Sequence, residues 1–210
     1  KGLVDCNKGH VDVLLRGLEA HGINMCAITD HDCFDKDLYF ALKEKEGDGC
    51  LSKALPGVEF SVSIRAGGEE PTVIHIVVIF DDRRPELIDG IARAVCDEHG
   101  KPRYDDLDNG AFTEDGFAKV LRDIGLSAVL IGHEKSAGQE AKRDVSSLGA
   151  DRASEVILTE FVDAVEIRNK RRELDIKRLI ETYPRDAVPF VVGSDCHDWA
   201  AYPGTEGGEI

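Results

Sequence analysis

Short apolar runs alternate with amphipathic segments along this chain. Runs of mainly apolar residues predict strands at residues 25–28, 54–60, 73–80, 126–131, 164–167 and 188–192. Apolar residues at helical spacing predict helices at residues 10–21, 37–46, 85–98, 113–124, 152–161 and 170–182. This alternation is typical of a parallel α/β fold, and strands that are apolar throughout fit either a barrel or a doubly wound sheet.

The first predicted helix shows how the boundaries follow from the residues. Val11, Leu14 and Leu18 recur at helical spacing and form one apolar face. Gly22 ends the segment, because glycine favours the left-handed backbone found just after many helices. Residues 99–112 are polar, contain glycine and proline, and predict a loop. Residues 134–150 predict a second loop, which we expect to cover the functional site.

Ionisable residues that bind metals recur at the predicted strands. Side chains of this kind follow strand ends at His31, His133, Asp195 and His197, and lie inside strands at Glu59 and His75. Each has an ordinary structural explanation when taken alone, such as a capping aspartate or a hydrogen-bonded core histidine. Together they predict one shared site, because polar residues at the carboxyl ends of the strands of an α/β sheet collect at one edge.

The donor set indicates the chemistry of that site. Four imidazoles and two carboxylates from five segments suit a multinuclear site for divalent Zn, Mn or Fe. Such a site generates a metal-bound hydroxide and clamps a phosphate, which is the chemistry of phosphoester hydrolysis. Arg168 follows the strand at residues 164–167, and its planar guanidinium matches phosphate oxygens. A surface salt bridge is the alternative role for Arg168.

Five motifs of the chain resemble the PHP (polymerase and histidinol phosphatase) family, and their order and spacing cover nearly the whole sequence. The motifs are Thr29-Asp30-His31, Pro56-Gly57-Val58-Glu59-Phe60, Ile74-His75-Ile76, Ile131-Gly132-His133 and Gly193-Ser194-Asp195-Cys196-His197. The resemblance implies a distorted seven-stranded β/α barrel, two or three divalent metal ions and phosphoesterase activity.

The same resemblance implies a role for each matching residue. Glu59 would bridge two metals, and the hydroxide nucleophile would form between the metals that Glu59 and Asp195 hold. Asp195 would complete the first metal site, His75 and His133 the second, and His31 and His197 the third.

Two departures from the family pattern change the expectation. The family begins with a His-x-His motif on its first strand, and no His-x-His occurs in this sequence. We expect that strand upstream of Lys1; true loss of the motif, leaving a degenerate site, is the alternative. The segment Gly132-His133-Glu134-Lys135 stands where the family more often has His-Pro. Residues 132–136, together with residues 76–82, resemble PHP domains found at the amino end of large AAA-like ATPases, which implies a fused ATPase domain as a partner.

Composition narrows the class of protein. The 210 residues are enough for one domain, which we place at residues 1–203, followed by a glycine-rich linker or tail at residues 204–210. A net charge of −15 argues against unaided binding along nucleic acid, which relies on basic residues. Six cysteines without a C-x-x-C pair predict reduced thiols in a cytoplasmic protein. No apolar run approaches the length of a membrane span, so no membrane partner is expected.

These observations favour a metal-dependent phosphoesterase. A small phosphomonoester or nucleotide is the expected substrate, because an acidic surface repels a long polyanion. Two alternatives stay open. One is a nuclease acting on DNA or RNA ends within a larger ATPase-fused protein, and the other is a degenerate, non-catalytic PHP module with a regulatory role.

Overall fold

A computed structural model describes residues 10–65, 70–134, 144–148, 152, 153, 156, 162–167 and 189–193. The helices are α1 (Val11–Ala20), α2 (Lys36–Lys43), α3 (Pro85–Val95) and α4 (Glu114–Ile124), and a 3-10 helix covers Val145–Leu148. The strands are β1 (Met25–Ile28), β2 (Lys53–Ile64), β3 (Thr72–Phe80), β4 (Phe112–Thr113), β5 (Ala128–Glu134), β6 (Ala164–Ile167) and β7 (Phe190–Val191).

The strands form one curled sheet, a half-barrel, in the order β1-β2-β3-β5-β6-β7. The short β4 pairs with the far end of β2, off this path. Pairing is parallel between β1 and β2, between β5 and β6, and between β6 and β7. The mixed α/β class and a partial barrel therefore agree with the sequence-based expectation.

The expectation of a purely parallel sheet is wrong at β3. This strand runs antiparallel to both of its neighbours, β2 and β5. The reason is the short connection between β2 and β3, which comprises only residues 65–71. A parallel crossover needs a dozen or more residues, whereas a hairpin needs very few, so this connection forces the chain to reverse.

The two faces of the sheet carry different residues because side chains alternate along each strand. One face of β2 and β3 packs against α3 and α4 in the main core, with Phe60 and Ile76 fully buried. The opposite face carries a smaller apolar cluster built around Val77, Ile131 and Ala164. Glu59, His75, His133 and Glu166 lie on this second face, because each is paired with, or two residues from, a member of that cluster.

The ends of α4 follow the signals in the sequence. Thr113 precedes the helix, and its hydroxyl accepts a hydrogen bond from the backbone N–H of Gly116 at 3.0 Å. Gly125 ends the helix with a φ of 69°, a left-handed conformation that a residue with a Cβ adopts at a cost. The helix therefore covers Glu114–Ile124, in close agreement with the predicted range.

An ion network ties α2 to the start of β2 and the end of β3. The carboxylate of Asp82 is bound by the ammonium groups of Lys43 and Lys53, the latter at 2.6 Å. Lys43 also contacts Glu46 at 2.5 Å. Burial disfavours the charged form of Asp82, but hydrogen bonds from the two lysines outweigh burial and hold the pKa of this carboxyl below its usual value.

We expect Asp82→Asn to lower the free energy of unfolding by about 1 kcal/mol at pH 7, since the lysines are partly exposed and water screens them. A lowered pKa means that the stabilisation is present above the unfolded-state pKa of about 3.9 and is lost as pH falls through the folded-state pKa. Urea unfolding at pH 7 and pH 3 measures the difference. Asp123→Asn, at an exposed pair with Lys119, is the control and should change stability by less than about 0.5 kcal/mol. An equal effect of Asp82→Asn at both pH values would contradict this account.

Two further findings concern the cysteines and the helices of the described residues. Cys26, Cys33, Cys50 and Cys96, the cysteines within the described residues, are free thiols. None of the described helices combines the length and apolar character needed to cross a membrane. The predicted linker at residues 204–210 and the predicted helix at 170–182 lie outside the described residues.

Candidate metal site

Register places three ionisable residues side by side on the second face of the sheet. Ile76 of β3 pairs with Gly132 of the antiparallel β5, so the next residues, His75 and His133, face each other. Their ring centroids lie 5.8 Å apart in an edge-to-face arrangement. His133 in turn pairs with Glu166 of β6. A row of imidazoles and a carboxylate therefore crosses three adjacent strands.

His31 and Glu59 join this row from the other side. Residues just beyond β1 continue its parallel pairing with β2, where His31 forms an isolated bridge to Glu59. Two backbone hydrogen bonds hold the bridge, from Glu59 N–H to the Asp30 carbonyl at 3.1 Å and from Asp32 N–H to the Glu59 carbonyl at 2.8 Å. The polar residues that follow β1 are thus held against β2 rather than left in a loop.

Three of the predicted ligands form one group. His31, Glu59 and His75 each offer a donor atom, and these atoms all lie within 4.8 Å of one another. Oε1 of Glu59 lies 2.8 Å from Nδ1 of His75 and 3.8 Å from Nδ1 of His31. The two imidazole rings are 4.8 Å apart between centroids. The carboxylate therefore sits between two imidazoles.

The environment keeps Glu59 charged. Burial alone would raise the pKa of this carboxyl, since only 10% of its side chain is exposed. The hydrogen bond from His75 and the nearby imidazoles outweigh burial, so the pKa of Glu59 lies below its usual value. A buried glutamate that stays ionised is suited to hold a cation.

His133 has a carboxylate partner of its own. Nδ1 of His133 lies 2.9 Å from Oδ1 of Asp144, whose side chain is fully buried. Burial opposes a charged ring, but the hydrogen bond to Asp144 and the negative charges of nearby carboxylates outweigh it, so the pKa of His133 is raised. His133 therefore stands beside the three-residue group, next to His75, without being one of its members.

The structure brings together three of the six residues that were predicted as metal ligands. His31, Glu59 and His75 come together as expected, from segments far apart in the sequence. His133 lies within β5 and not past its end, because β5 extends to Glu134, beyond the predicted end at residue 131. The remaining predicted residues, Asp195, His197 and Arg168, lie outside the described residues.

Three acidic residues near the site were not predicted from the sequence. Glu166 carries the same signal as Glu59, a glutamate inside an apolar strand, and it is buried in β6 beside His133. Asp32 follows His31 directly in the sequence. Asp144 could not be identified in this way, because it lies in a polar segment where an acidic residue is expected to be exposed to solvent.

Asp32 accepts hydrogen bonds from β2 at the point where the pairing of that strand passes from His31 to β4. β2 pairs with His31 at Glu59 and with β4 from Val62 onward. Between them, the backbone N–H and the hydroxyl of Ser61 both donate to the Asp32 carboxylate at 2.7 Å. Tyr104 donates to the same carboxylate at 2.9 Å. Asp32 has a φ of 49°, a strained backbone conformation for a residue with a side chain, and these bonds hold it there.

We expect Asp32→Ala to lower the free energy of unfolding by about 2 kcal/mol, because the buried N–H and hydroxyl of Ser61 lose their acceptor. Asp32→Asn is the matched control and should cost less than half as much, since its amide oxygen can still accept and asparagine tolerates a positive φ. Urea unfolding compares the two variants. Equal losses in both would show that the negative charge, not the hydrogen bonding, is what Asp32 contributes.

The three-residue group fits a divalent metal. Two imidazole nitrogens and one carboxylate oxygen form a donor set that zinc uses in catalytic sites, where a fourth position stays open for water or substrate. Manganese and iron accept the same donors. The half-exposed ring of His31, with 51% of its side chain accessible, leaves this group open to solvent on one side.

Comparison with known proteins adds no family to this picture. No family model matches the chain, and no curated protein sequence matches it.

Proposed function

We propose that this chain is a metal-dependent phosphoesterase that hydrolyses a small phosphomonoester or a nucleotide. The observation that carries the proposal is the convergence of His31, Glu59 and His75, whose donor atoms lie within 4.8 Å of one another. A divalent cation in such a group supplies Lewis acidity, which lowers the pKa of water and stabilises charge on phosphate oxygens.

The three residues of the group would contribute to cation binding in different ways. Glu59 supplies a negative charge that its surroundings keep ionised, and His75 is fixed against it by a 2.8 Å contact. Glu59 and His75 are largely buried, which restricts their motion and excludes most water. His31 lies at the open side, so a substrate phosphate would approach past its ring.

The family resemblance supports the proposal and extends it. The motifs Thr29-Asp30-His31, Pro56-Gly57-Val58-Glu59-Phe60 and Ile74-His75-Ile76 contribute the three converging side chains. As part of the proposal, the fold is the distorted seven-stranded barrel of PHP proteins, and His133, Asp195 and His197 complete a site for two or three metals. Arg168 would then clamp the phosphate.

The charge of the protein favours a small substrate. The net charge is −15, and the described site itself contains Glu59 with Asp32, Asp144 and Glu166 nearby. A long polyanion would meet repulsion beyond the cation, whereas a single phosphate group is held within reach of it.

Two measurements test the proposal. Elemental mass spectrometry of the purified 210-residue protein gives its metal content, and a panel of phosphomonoesters, nucleotides and 5′- or 3′-phosphorylated DNA ends gives its activity. Bound metal together with turnover of small phosphate esters is the expected result. Release of nucleotides from DNA by phosphodiester hydrolysis, without turnover of small phosphate esters, would identify a nuclease instead. Metal without turnover of any ester would indicate a non-catalytic module, and the absence of metal would reject the site.

A further inference from the structure

We propose that Asp144 is a positioning residue, which fixes the His133 ring so that Nε2 is the nitrogen offered to a metal. The inference rests on the proposed function, because it assumes that the polar face of the sheet is a metal site. Its evidence is separate, since it comes from a residue that no motif of the sequence contains.

A hydrogen bond joins the Asp144 carboxylate to the His133 ring. A carboxylate only accepts hydrogen bonds, so the 2.9 Å contact between Oδ1 of Asp144 and Nδ1 of His133 requires a proton on Nδ1. In the neutral ring, Nε2 then carries the lone pair. A metal ligand must offer a lone pair, so Asp144 decides which atom of His133 can bind.

Asp144 is held in place by burial and by the turn that follows it. Its side chain is fully buried, and the 3-10 helix Val145–Leu148 begins at the next residue. Both the backbone N–H of Ser147, at 3.0 Å, and its hydroxyl donate to the Asp144 carbonyl. Val145 and Leu148 are anchored in the main core. The carboxylate is thus held at a fixed place rather than on a mobile loop.

A glycine in β5 allows this turn to come close to the strand. Gly132 precedes His133, and a Cβ at this position would lie 2.8 Å from Cγ2 of Val145 and 3.3 Å from Cγ1 of Val162. Only glycine leaves room for Val145 at that distance. Gly132 therefore leaves the space that the turn at Asp144 and Val145 needs in order to reach the ring of His133.

His133 lies beside His75 in the row of ionisable residues. Its ring packs edge-to-face against His75, which contacts Glu59 at 2.8 Å. Pairing of a ligand histidine with a carboxylate on its other nitrogen is the usual arrangement at metal sites, and loss of the carboxylate lowers metal affinity about 10- to 100-fold. Asp144 and His133 match this arrangement, with the metal-binding nitrogen facing away from the carboxylate.

The test begins with the metal-free protein. Long-range ¹H–¹⁵N correlation spectra of the histidine-labelled chain, assigned with His133→Gln, report which ring nitrogen carries the proton. We expect Nδ1–H for His133 in the original protein and in Asp144→Asn, whose amide oxygen still accepts, and loss of that preference in Asp144→Ala. Spectra recorded at a pH where the ring is neutral decide the matter: Nε2–H without Nδ1–H in the original protein would overturn the inference, whether or not any variant folds.

The second measurement is zinc affinity, by competition with a chromogenic chelator. Asp144→Ala should weaken binding about 10- to 100-fold, and Asp144→Asn should weaken it less. Asp163→Ala is the matched control, because Asp163 accepts from the Leu130 backbone of the same strand without touching an imidazole. If Asp144→Ala lowers stability while tautomer and affinity stay unchanged, Asp144 is structural and the inference is wrong. If the original protein binds no zinc, the proposed function fails, and the tautomer alone still decides the role of Asp144.

Discussion

Glu59→Gln is expected to weaken zinc binding by on the order of 100-fold or more, a larger loss than any change outside the ligand group should cause. Glutamine has the same shape, and its amide oxygen can still accept from Nδ1 of His75, so the metal-free protein should fold with little change. What is lost is the negative charge between two imidazoles. If the proposed function is correct, phosphatase turnover falls with the metal.

Chelator competition and elemental mass spectrometry measure this loss directly. Glu46→Gln is the matched control, because Glu46 bonds to Lys43 and to the Ala54 backbone and is not a member of the ligand group. His31→Ala should weaken binding less than Glu59→Gln, since His31 is half exposed and lies 3.8 Å from the carboxylate. Unchanged metal affinity in Glu59→Gln would remove the basis of the proposed site.

Phe60→Ala is expected to lower the free energy of unfolding by about 3–5 kcal/mol. Phe60 is completely buried, and its ring packs edge-to-face on Phe112 at 5.6 Å and on Phe117 at 5.1 Å between centroids. The substitution removes apolar burial, leaves a cavity and breaks two aromatic contacts, each of which stabilises by about 0.5–1.5 kcal/mol beyond its buried area. Urea unfolding provides the measurement.

The same variant separates stability from metal binding. Phe60 follows Glu59 in β2, and successive side chains of a strand point to opposite faces. The folded fraction of Phe60→Ala should therefore keep its zinc affinity. Leu107→Ala is the control for side-chain truncation, since Leu107 is 81% exposed and its loss should change stability by no more than about 0.5 kcal/mol. A Phe60→Ala protein as stable as Leu107→Ala would mean that this core is not packed as described.

Most strands could be located from the sequence because burial on both faces leaves an apolar run. The predicted ranges for β1, β3 and β6 agree with the observed ones within a residue. Strand direction was harder, since a run of apolar residues reads the same either way. The length of the connection at residues 65–71 was the available signal, and it indicates a hairpin.

The candidate site was predictable only where an unusual residue interrupts an apolar run. Glu59 and His75 stand out in this way, and His31 follows a strand end. β4 is too short to show periodicity, so residues 99–112 appeared to be loop throughout. Asp144 is invisible for a different reason, because its burial depends on Gly132 and on a turn that forms only in the folded chain.

The hairpin of β2 and β3 has a consequence for the order of folding. Glu59 and His75 are the closest pair of the proposed ligand group, and they lie on two strands that are neighbours in the chain. Closing the short connection between them costs little chain entropy, whereas bringing β5 and β6 alongside requires much longer loops to close. Glu59 and His75 can therefore come together with the earliest local contacts. The residues of β5 and β6 would then pack against a Glu59–His75 pair that has already formed.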